Sequence, residues 1–291
     1  MQNCRTDLAL ESLEAAGETG TASIPGVNSW EEEKEGIRIT TVEITHAEAE
    51  KRLGKPCGKY VTLQTQGLGR FTGNFEGEAS VIAEQIAGFL PEQGLVLVIG
   101  LGNSEITPDA LGPYCIADTL ATRHLSGETA RAAGLDGLRP VAALAPGVLG
   151  QTGMEAAEVA ESVCGTLHPA AVIAVDALAS RSIDRLATTI QISDTGISPG
   201  SGVQNRRKEL SVHTLGVPVI SIGVPTVVDM STIAEDLTGS TESVSEKGRH
   251  MMVTPREIDQ VIKQAAKMVA AALNLALQPT LNMEDILSLT A

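Results

Sequence analysis

Two aspartates are the residues of this 291-residue chain whose positions suggest chemistry. Asp109 follows the apolar stretch Leu95–Ile99 by one short turn, and Asp176 comes directly after the apolar stretch Ala171–Val175. Two carboxylates held close together do not both ionise easily, so one becomes a proton donor and the other a base. Such a pair can activate a water molecule and protonate a leaving amine, which is the chemistry of an aspartic-type peptidase.

The stretches that precede both aspartates predict strands of a parallel sheet covered on both faces, because they are apolar throughout and do not alternate. The carboxyl ends of such strands form the ligand-binding edge of an α/β sheet, and neighbouring strands lie about 4.8 Å apart. We therefore predict an α/β fold with three αβα layers and a mostly parallel central sheet, which brings Asp109 and Asp176 to one edge. The predicted strands are 37–45, 59–64, 95–99, 140–145, 171–175, 187–193 and 217–222, and the predicted helices are 45–53, 76–90, 109–125, 152–167 and 254–277.

Composition excludes several classes of partner. The chain carries 21 Lys and Arg against 36 Asp and Glu, a formal charge of −15, and only 2% of its residues are aromatic. Direct binding to nucleic acid or to an anionic membrane is therefore not expected. The N-terminus lacks an apolar signal-peptide core, and the four cysteines form no Cys-x-x-Cys pair. A cytoplasmic protein with reduced thiols is predicted.

Other motifs leave alternatives open. Asp109 and Asp176 also fit structural roles as helix and turn caps. The tripeptide Asp194-Thr195-Gly196 occurs in pepsin-like proteases, but a single copy in an α/β context predicts a turn. The Gly100-x-Gly102 pattern carries Glu105 where a dinucleotide site needs its third glycine. The five histidines form no His-Glu-x-x-His pattern, so neither a metal ion nor a cofactor is predicted.

Basic side chains near the predicted edge could bind a carboxylate of a substrate. The glycine-rich loop 197–209 leads into Arg206, Arg207 and Lys208, the most basic cluster of an acidic chain. Arg181, just beyond Asp176, is a second candidate, and Asn103 in the turn after the first strand is another candidate substrate-binding residue. The alternative for the cluster is an exposed turn followed by a solvated helix start.

Longer motifs match a known family. They are Gly100-Leu-Gly-Asn103, Thr107-Pro-Asp-Ala-Leu-Gly-Pro113, Thr122-Arg-His-Leu125, Pro146-Gly-Val148, Gly150-x-Thr152-Gly153, Asp176-Ala-Leu-Ala-x-Arg-Ser182, Ile190-Gln-Ile-Ser-Asp194, Pro199-Gly-Ser-Gly-Val203, Val224-Pro-Thr-Val-Val-Asp229 and Met252-Val-Thr-Pro255. Together they resemble the germination protease family of spore-forming bacteria.

The resemblance implies an endopeptidase that starts the degradation of small acid-soluble spore proteins in the germinating spore. It places the family's two essential aspartates on Asp109 and Asp176. It also implies an atypical aspartic-type mechanism, a homotetramer located in the spore core, and a phosphorylase/hydrolase-like sheet similar to that of hydrogenase maturation peptidases. Family members are made as precursors that remove their own N-terminal segment.

The family cleaves after an acidic and before an apolar residue, with Ala next and Glu shortly after. The stretch Asp7-Leu8-Ala9-Leu10-Glu11 matches that rule, so we expect self-cleavage between Asp7 and Leu8. Residues 1–7 are then a propeptide and 8–291 a single peptidase domain, with N-terminal strands in 36–66, a central unit in 94–223 and a C-terminal helix in 254–277. Two other functions stay open: a catalytically silent relative that binds spore proteins, and a maturation peptidase that uses a metal ion.

Two features depart from the family pattern. A propeptide of seven residues is shorter than expected for the family, and the polar stretch 238–249 is brief where relatives carry a longer insertion. The first difference concerns how strongly the precursor is inhibited, and the second concerns substrate access and subunit contacts.

Overall fold

The structure is a computed structural model, which describes residues 6–16, 24–65, 68, 74–125, 127–132, 134–200, 208–240, 244–248 and 251–290. The strands are β1 Val27–Lys34, β2 Ile37–Ile44, β3 Gly58–Gln64, β4 Val96–Gly100, β5 Val141–Leu144, β6 Ala171–Ser180, β7 Thr189–Ser193, β8 Val219–Asp229 and β9 Met252–Val253. The α-helices are α1 Ala9–Ala15, α2 Ala47–Leu53, α3 Phe75–Ala87, α4 Leu111–Ala117, α5 Gly127–Ala132, α6 Leu149–Thr152, α7 Ala156–Leu167, α8 Val212–Leu215, α9 Met230–Thr238, α10 Ile258–Leu277 and α11 Met283–Thr290. Short 3-10 helices cover Thr107–Asp109 and Ile183–Arg185.

The described strands form one mixed sheet in the order β1-β2-β3-β7-β8-β6-β4-β5, with β9 paired to the end of β8. The neighbours β5, β4, β6 and β8 run parallel, and β7, β3, β2 and β1 continue the sheet with antiparallel pairs. The predicted α/β class is confirmed. The parallel half holds the strands that carry or precede both aspartates.

Helices cover both faces of the sheet, which gives the three predicted layers. Helices α3, α4 and α10 pack on the face that contains Val98, Val175 and Ile222. On the opposite face, α7 and α8 cover the parallel strands through side chains such as Ala160. Helices α1 and α2 cover the antiparallel strands on that second face, around Val42. Because both faces are dry, the central strands have no polar alternation.

Strands β6 and β8 run further than the sequence pattern predicts. They end at Ser180 and Asp229, whereas the predicted strands end at residues 175 and 222. The prediction that Asp176 closes its strand is therefore wrong. Gly223 and Pro225 look like strand breakers, yet both pair with β6, next to a β-bulge after Leu178.

Two predicted helices begin or end elsewhere. The helix predicted for 109–125 is a 3-10 turn followed by α4, which ends at Ala117, because the chain then turns and the Leu120 amide donates to Asn274 Oδ1 (2.9 Å). The helix predicted to begin at residue 254 begins instead at Ile258. The Thr254 hydroxyl donates instead to the carbonyl of Thr226 on β8 (2.9 Å).

The N-terminal region contains two elements that its polar composition does not predict. Helix α1 packs on the sheet through Ala9 and Leu13. Strand β1 pairs with β2 along its whole length, although it carries the acidic run that begins at Glu31 and is mostly exposed. Charges on an edge strand discourage pairing with other chains. Because these residues are polar, the hydrophobic pattern of the sequence does not predict the strand.

The described cysteines Cys57, Cys115 and Cys164 are free thiols, while Cys4 lies outside the described residues. Burial raises the pKa of the Cys115 thiol to about 12, which keeps it protonated and unreactive. Within the described ranges, no helix combines the length and apolarity needed to cross a bilayer.

We expect Gly112→Ala in α4 to destabilise the fold by about 3 kcal/mol, since overpacking against atoms that cannot move is costly. An added methyl group would meet the backbone of Leu101 and the Val175 carbonyl. The matched control is Gly165→Ala in α7, where the added methyl meets nothing. The control should stabilise by about 0.5–1 kcal/mol. Urea unfolding measures both changes, and equal stabilities for the two variants would contradict this packing.

Candidate active site

The turn after β4 fixes the carboxylate of Asp109. Gly102 has a φ of +109°, and an added Cβ there would fall on the carbonyl oxygen of Asp109. The Asn103 amide donates to Asp109 Oδ2 (2.9 Å) and also to the Asp109 carbonyl (3.1 Å). Only glycine fits this close approach without strain. The glycine-containing turn therefore holds Asp109 in one orientation.

The long strand β8 anchors the same turn from the other side. The Thr226 hydroxyl donates to the carbonyl of Pro108 (2.7 Å), one residue before Asp109. The 3-10 helix around Pro108 contacts both β6 and β8. Helix α4, which follows, lies with Gly112 against the carbonyl of Val175. These contacts hold the turn that carries Asp109 against β6 and β8.

Asp176 lies within β6 and is only 5% exposed. Its register partner on β8 is Gly223, whose own partner on β7 is Gln191. Residues in register share a face of the sheet, and two strand spacings place the Asp176 and Gln191 Cα atoms about 10 Å apart. Asp176 Oδ1 accepts a hydrogen bond from the Ala177 amide (2.9 Å). A carboxylate and a carboxamide thus face the same region, with a glycine between them.

The edge of β6 beyond Val175 is open to another segment, because β4 ends at Gly100. The last bond from the β4 side is donated by the Leu101 amide to the Val175 carbonyl (2.8 Å). Alternate residues of a strand direct their backbone groups to opposite edges, so Ala179 faces the same edge as Val175. Ala179 receives a hydrogen bond from the Asp7 amide (2.9 Å) and donates one to Asp7 Oδ2 (2.9 Å).

The peptide bond between Asp7 and Leu8 is held on both sides. Gln191 Nε2 donates to the Asp7 carbonyl (3.1 Å), and Gln191 Oε1 accepts from the Ala9 amide (2.7 Å). The Leu8 amide donates to Thr6 Oγ1 (2.9 Å), and the Leu8 side chain is fully buried. The structure therefore brings the segment predicted to be cut to the strand that carries Asp176.

The other candidate residues predicted from the sequence lie as follows. Asn103 Oδ1 accepts from the Glu105 amide (2.9 Å) and from Gln151 Nε2 (2.8 Å). The Arg181 guanidinium lies 4.0 Å from Glu235. Lys208 is paired with Glu161 on α7 (2.8 Å), which raises its pKa. Arg206 and Arg207 lie outside the described residues. The Asp7 carboxylate accepts from the Ala179 amide, and Lys55 Nζ donates to the carbonyl of the preceding residue, Thr6 (3.0 Å). The substrate-binding role of the predicted residues stays a prediction.

Sequence reasoning did not select Gln191 as a site residue. A carboxamide inside the fully buried strand β7 was the available signal, because a buried polar side chain needs partners.

Asp194 forms the turn predicted for it, and its Oδ1 accepts from the Lys59 amide (2.8 Å). Nearby, burial raises the pKa of the Tyr60 phenol, which donates to the Pro56 carbonyl (2.8 Å). Within the described residues, no group of three His, Cys, Asp or Glu side chains could hold a metal ion.

Comparison with known proteins gives a consistent set of relatives. The family model described as germination protease matches residues 5–240. A germination protease of Clostridium perfringens is 40% identical over 321 aligned residues, which cover 98% of each chain. One from Caldanaerobacter subterraneus is 45% identical and covers 97% of this chain and 96% of its own. One from Priestia megaterium is 37% identical, with 97% and 95% covered.

A structural neighbour is the NiFe hydrogenase maturation protease HycI from Thermococcus kodakarensis. It covers 65% of this chain and 98% of its own length, with a TM-score of 0.37 and 17% identity. At that level of similarity, the neighbour says nothing about the chemistry of the site.

We expect Gln191→Leu to loosen the N-terminal segment while leaving the sheet intact. The substitution keeps the side-chain size and removes both hydrogen bonds to the segment. Loss of buried hydrogen bonds should speed amide exchange at Ala9 by about 10–100-fold. Hydrogen exchange measures this, with Ala160 in α7 as the internal control. Unchanged exchange at Ala9 would contradict the role of Gln191.

Proposed function

Because this chain belongs to the germination protease family and is therefore a peptidase, we propose that it is a self-processing endopeptidase of the aspartic type. Its first substrate is its own Asp7–Leu8 bond, and its later substrates are small acid-soluble spore proteins. The observation that carries the proposal is the docking of Asp7 on the open edge of β6, three residues beyond Asp176. The segment fits the cleavage rule of the family, and Asp7 pairs with the strand that carries Asp176.

The reaction needs one water molecule and the two carboxylates. One of Asp109 and Asp176 takes a proton from water as its oxygen attacks the carbonyl carbon of Asp7. The other, protonated at the start, gives its proton to the nitrogen of Leu8, and the carbon–nitrogen bond breaks. The products are a new carboxyl group on Asp7 and a new amino terminus on Leu8. The proton gained by the first acid restores the pair for another cycle.

Gln191 supports the same step by holding the carbonyl oxygen that becomes negative. Its Nε2 already donates to that oxygen in the uncut chain (3.1 Å). A donor placed in a buried site stabilises the developing oxyanion more than water does, because it needs no reorganisation during the reaction. The bond from the Ala9 amide to Oε1 orients the carboxamide so that its NH₂ group faces Asp7.

Backbone groups explain how an acidic protein accepts an acidic residue at the cut. The chain carries a formal charge of −15, yet Asp7 Oδ2 is bound by the Ala179 amide. The backbone amide is one donor to this carboxylate, and Lys55, whose ammonium group donates to the Thr6 carbonyl (3.0 Å), places a positive charge one residue away. Spore-protein segments with an acidic and then an apolar residue would bind in the same way.

Two alternatives remain distinct from this proposal. A catalytically silent relative would dock the N-terminal segment and leave it intact. A metal-using maturation peptidase would cut it with a metal-activated water, and its activity would depend on the ion.

We expect Asp109→Asn and Asp176→Asn each to slow self-cleavage by about 10²–10⁴-fold, since each removes a proton-transfer group. Mass spectrometry of the incubated full-length protein follows the loss of residues 1–7. The matched control is Asp194→Asn, which keeps an acceptor for the Lys59 amide and should trim normally. Normal trimming by either site variant would remove that aspartate from the mechanism, and an intact wild-type terminus would favour the silent relative.

Removal of metal ions tests the remaining alternative. Dialysis of the freshly purified full-length protein against EDTA should leave the rate of trimming unchanged, because the carboxylate pair activates water on its own. A rate that falls on dialysis and returns when a single divalent ion is added back would identify the metal-using mechanism instead.

A further inference from the structure

A second acidic residue of the N-terminal segment, Glu11, is bound in a pocket outside the proposed catalytic pair. Its side chain is only 3% exposed. The backbone amides of Arg181 and Ser182 donate to its two carboxylate oxygens, at 2.7 and 2.9 Å, and the Thr6 hydroxyl donates to one of them. A buried carboxylate needs this many donors, because it has lost its hydration.

Arg185 completes the pocket with a positive charge. Its side chain is 11% exposed, and Nη1 lies 3.7 Å from Glu11 Oε1. Among the described residues, this buried Nη1 has no hydrogen-bond partner, so its interaction with the Glu11 carboxylate is electrostatic. The Nη2 atom donates to Glu14 (2.6 Å), one turn further along α1.

The pocket is built by the turn between β6 and β7, and it has its own supports. The Ser182 side chain accepts from the Asp184 amide (3.2 Å), and the Ser180 hydroxyl donates to the Ser182 carbonyl (3.0 Å). The Arg185 amide is 3.3 Å from that same carbonyl. Both amide donors of the pocket therefore lie in a turn whose shape is set by contacts within the turn itself.

The conformation of the segment determines which of its residues reaches the pocket. Leu8 is the N-cap of α1, and Glu11 lies in the first turn of that helix. A helical turn brings the fourth residue after the cut back over the first, whereas an extended chain would carry it about 10 Å away. Ala9 is fully buried between these two residues, so a larger side chain at the second position would clash.

From this arrangement, and resting on the proposed function, we infer that Arg185 and the amides of Arg181 and Ser182 form a specificity subsite for substrates. The subsite binds the carboxylate of the fourth residue after the cleaved bond. Substrates then present a helical turn on the leaving side, and the subsite gives a physical reason for the Glu that the family rule places shortly after the cut. In the uncut chain Glu11 itself occupies the subsite. Because the cut leaves Glu11 attached to the enzyme, α1 must leave the turn after β6 before a substrate binds there.

Two synthetic peptides test the subsite. Both carry residues 5–16 of this chain, and they differ only in having Glu or Gln at the Glu11 position. We expect the self-trimmed wild-type protein to cleave the Glu peptide with a kcat/KM about 10–100-fold higher, the range for hydrogen bonds to a charged group. The ratio compares two substrates of one enzyme sample, so it does not depend on how much of a variant is folded.

The variants then assign the preference to Arg185. Arg185→Met should move the Glu-to-Gln ratio toward unity, Arg185→Lys should restore part of it, and the exposed control Arg38→Met should keep the wild-type ratio. Equal cleavage of both peptides by the wild type, or a ratio that Arg185→Met leaves unchanged, would overturn the subsite alone. If the wild type neither trims itself nor cuts either peptide, the proposed function fails, and the subsite fails with it.

Discussion

The early end of β4 is the constraint on which the rest of this structure depends. The strand stops at Gly100, while its neighbour β6 continues to Ser180. Backbone groups along the open edge of β6 need partners wherever they are buried. The turn that carries Asp109 covers the first part of that edge, and Asp7 pairs with Ala179 further along. Because β4 ends early, the edge of β6 has room both for the turn that carries Asp109 and for the segment that contains Asp7.

Backbone amides help to bind both acidic side chains of the N-terminal segment in this strongly negative protein. The Ala179 amide binds the Asp7 carboxylate, and the amides of Arg181 and Ser182 bind Glu11. All three donors belong to the end of β6 or to the turn that follows it. A basic surface patch would attract anions in general, whereas fixed amides select a carboxylate that arrives in register along the strand.

Some of this organisation could be predicted from the sequence and some could not. The apolar runs before Asp109 and Asp176 predict the parallel strands, because burial on both faces leaves a continuous signal. The sequence does not predict the extension of β6 and β8. Gly223 and Pro225 are residue types that usually interrupt a strand, and only the tertiary fold pairs them with β6. The contacts of Gln191 with Asp7 and Ala9 join positions more than 180 residues apart, and no local pattern contains them.

The docked segment shows the same division between local and long-range information. The cleavage rule of the family selects Asp7 and Leu8 from residue types alone. That rule does not show that the segment continues as a helix or that Arg185 lies beneath Glu11, because both depend on where the turn after β6 lies in the fold. Local residue types select the bond that we propose is cut, and the fold shows what surrounds it.

A crystal structure of the full-length Asp109→Asn variant tests the central claim most directly, because its Asp7–Leu8 bond should stay intact. We expect a water molecule about 3–3.5 Å from the Asp7 carbonyl carbon, within hydrogen-bond reach of residue 109 and of Asp176. If those two side chains instead face separate regions, with no room for the Asp7–Leu8 peptide between them, the account is contradicted.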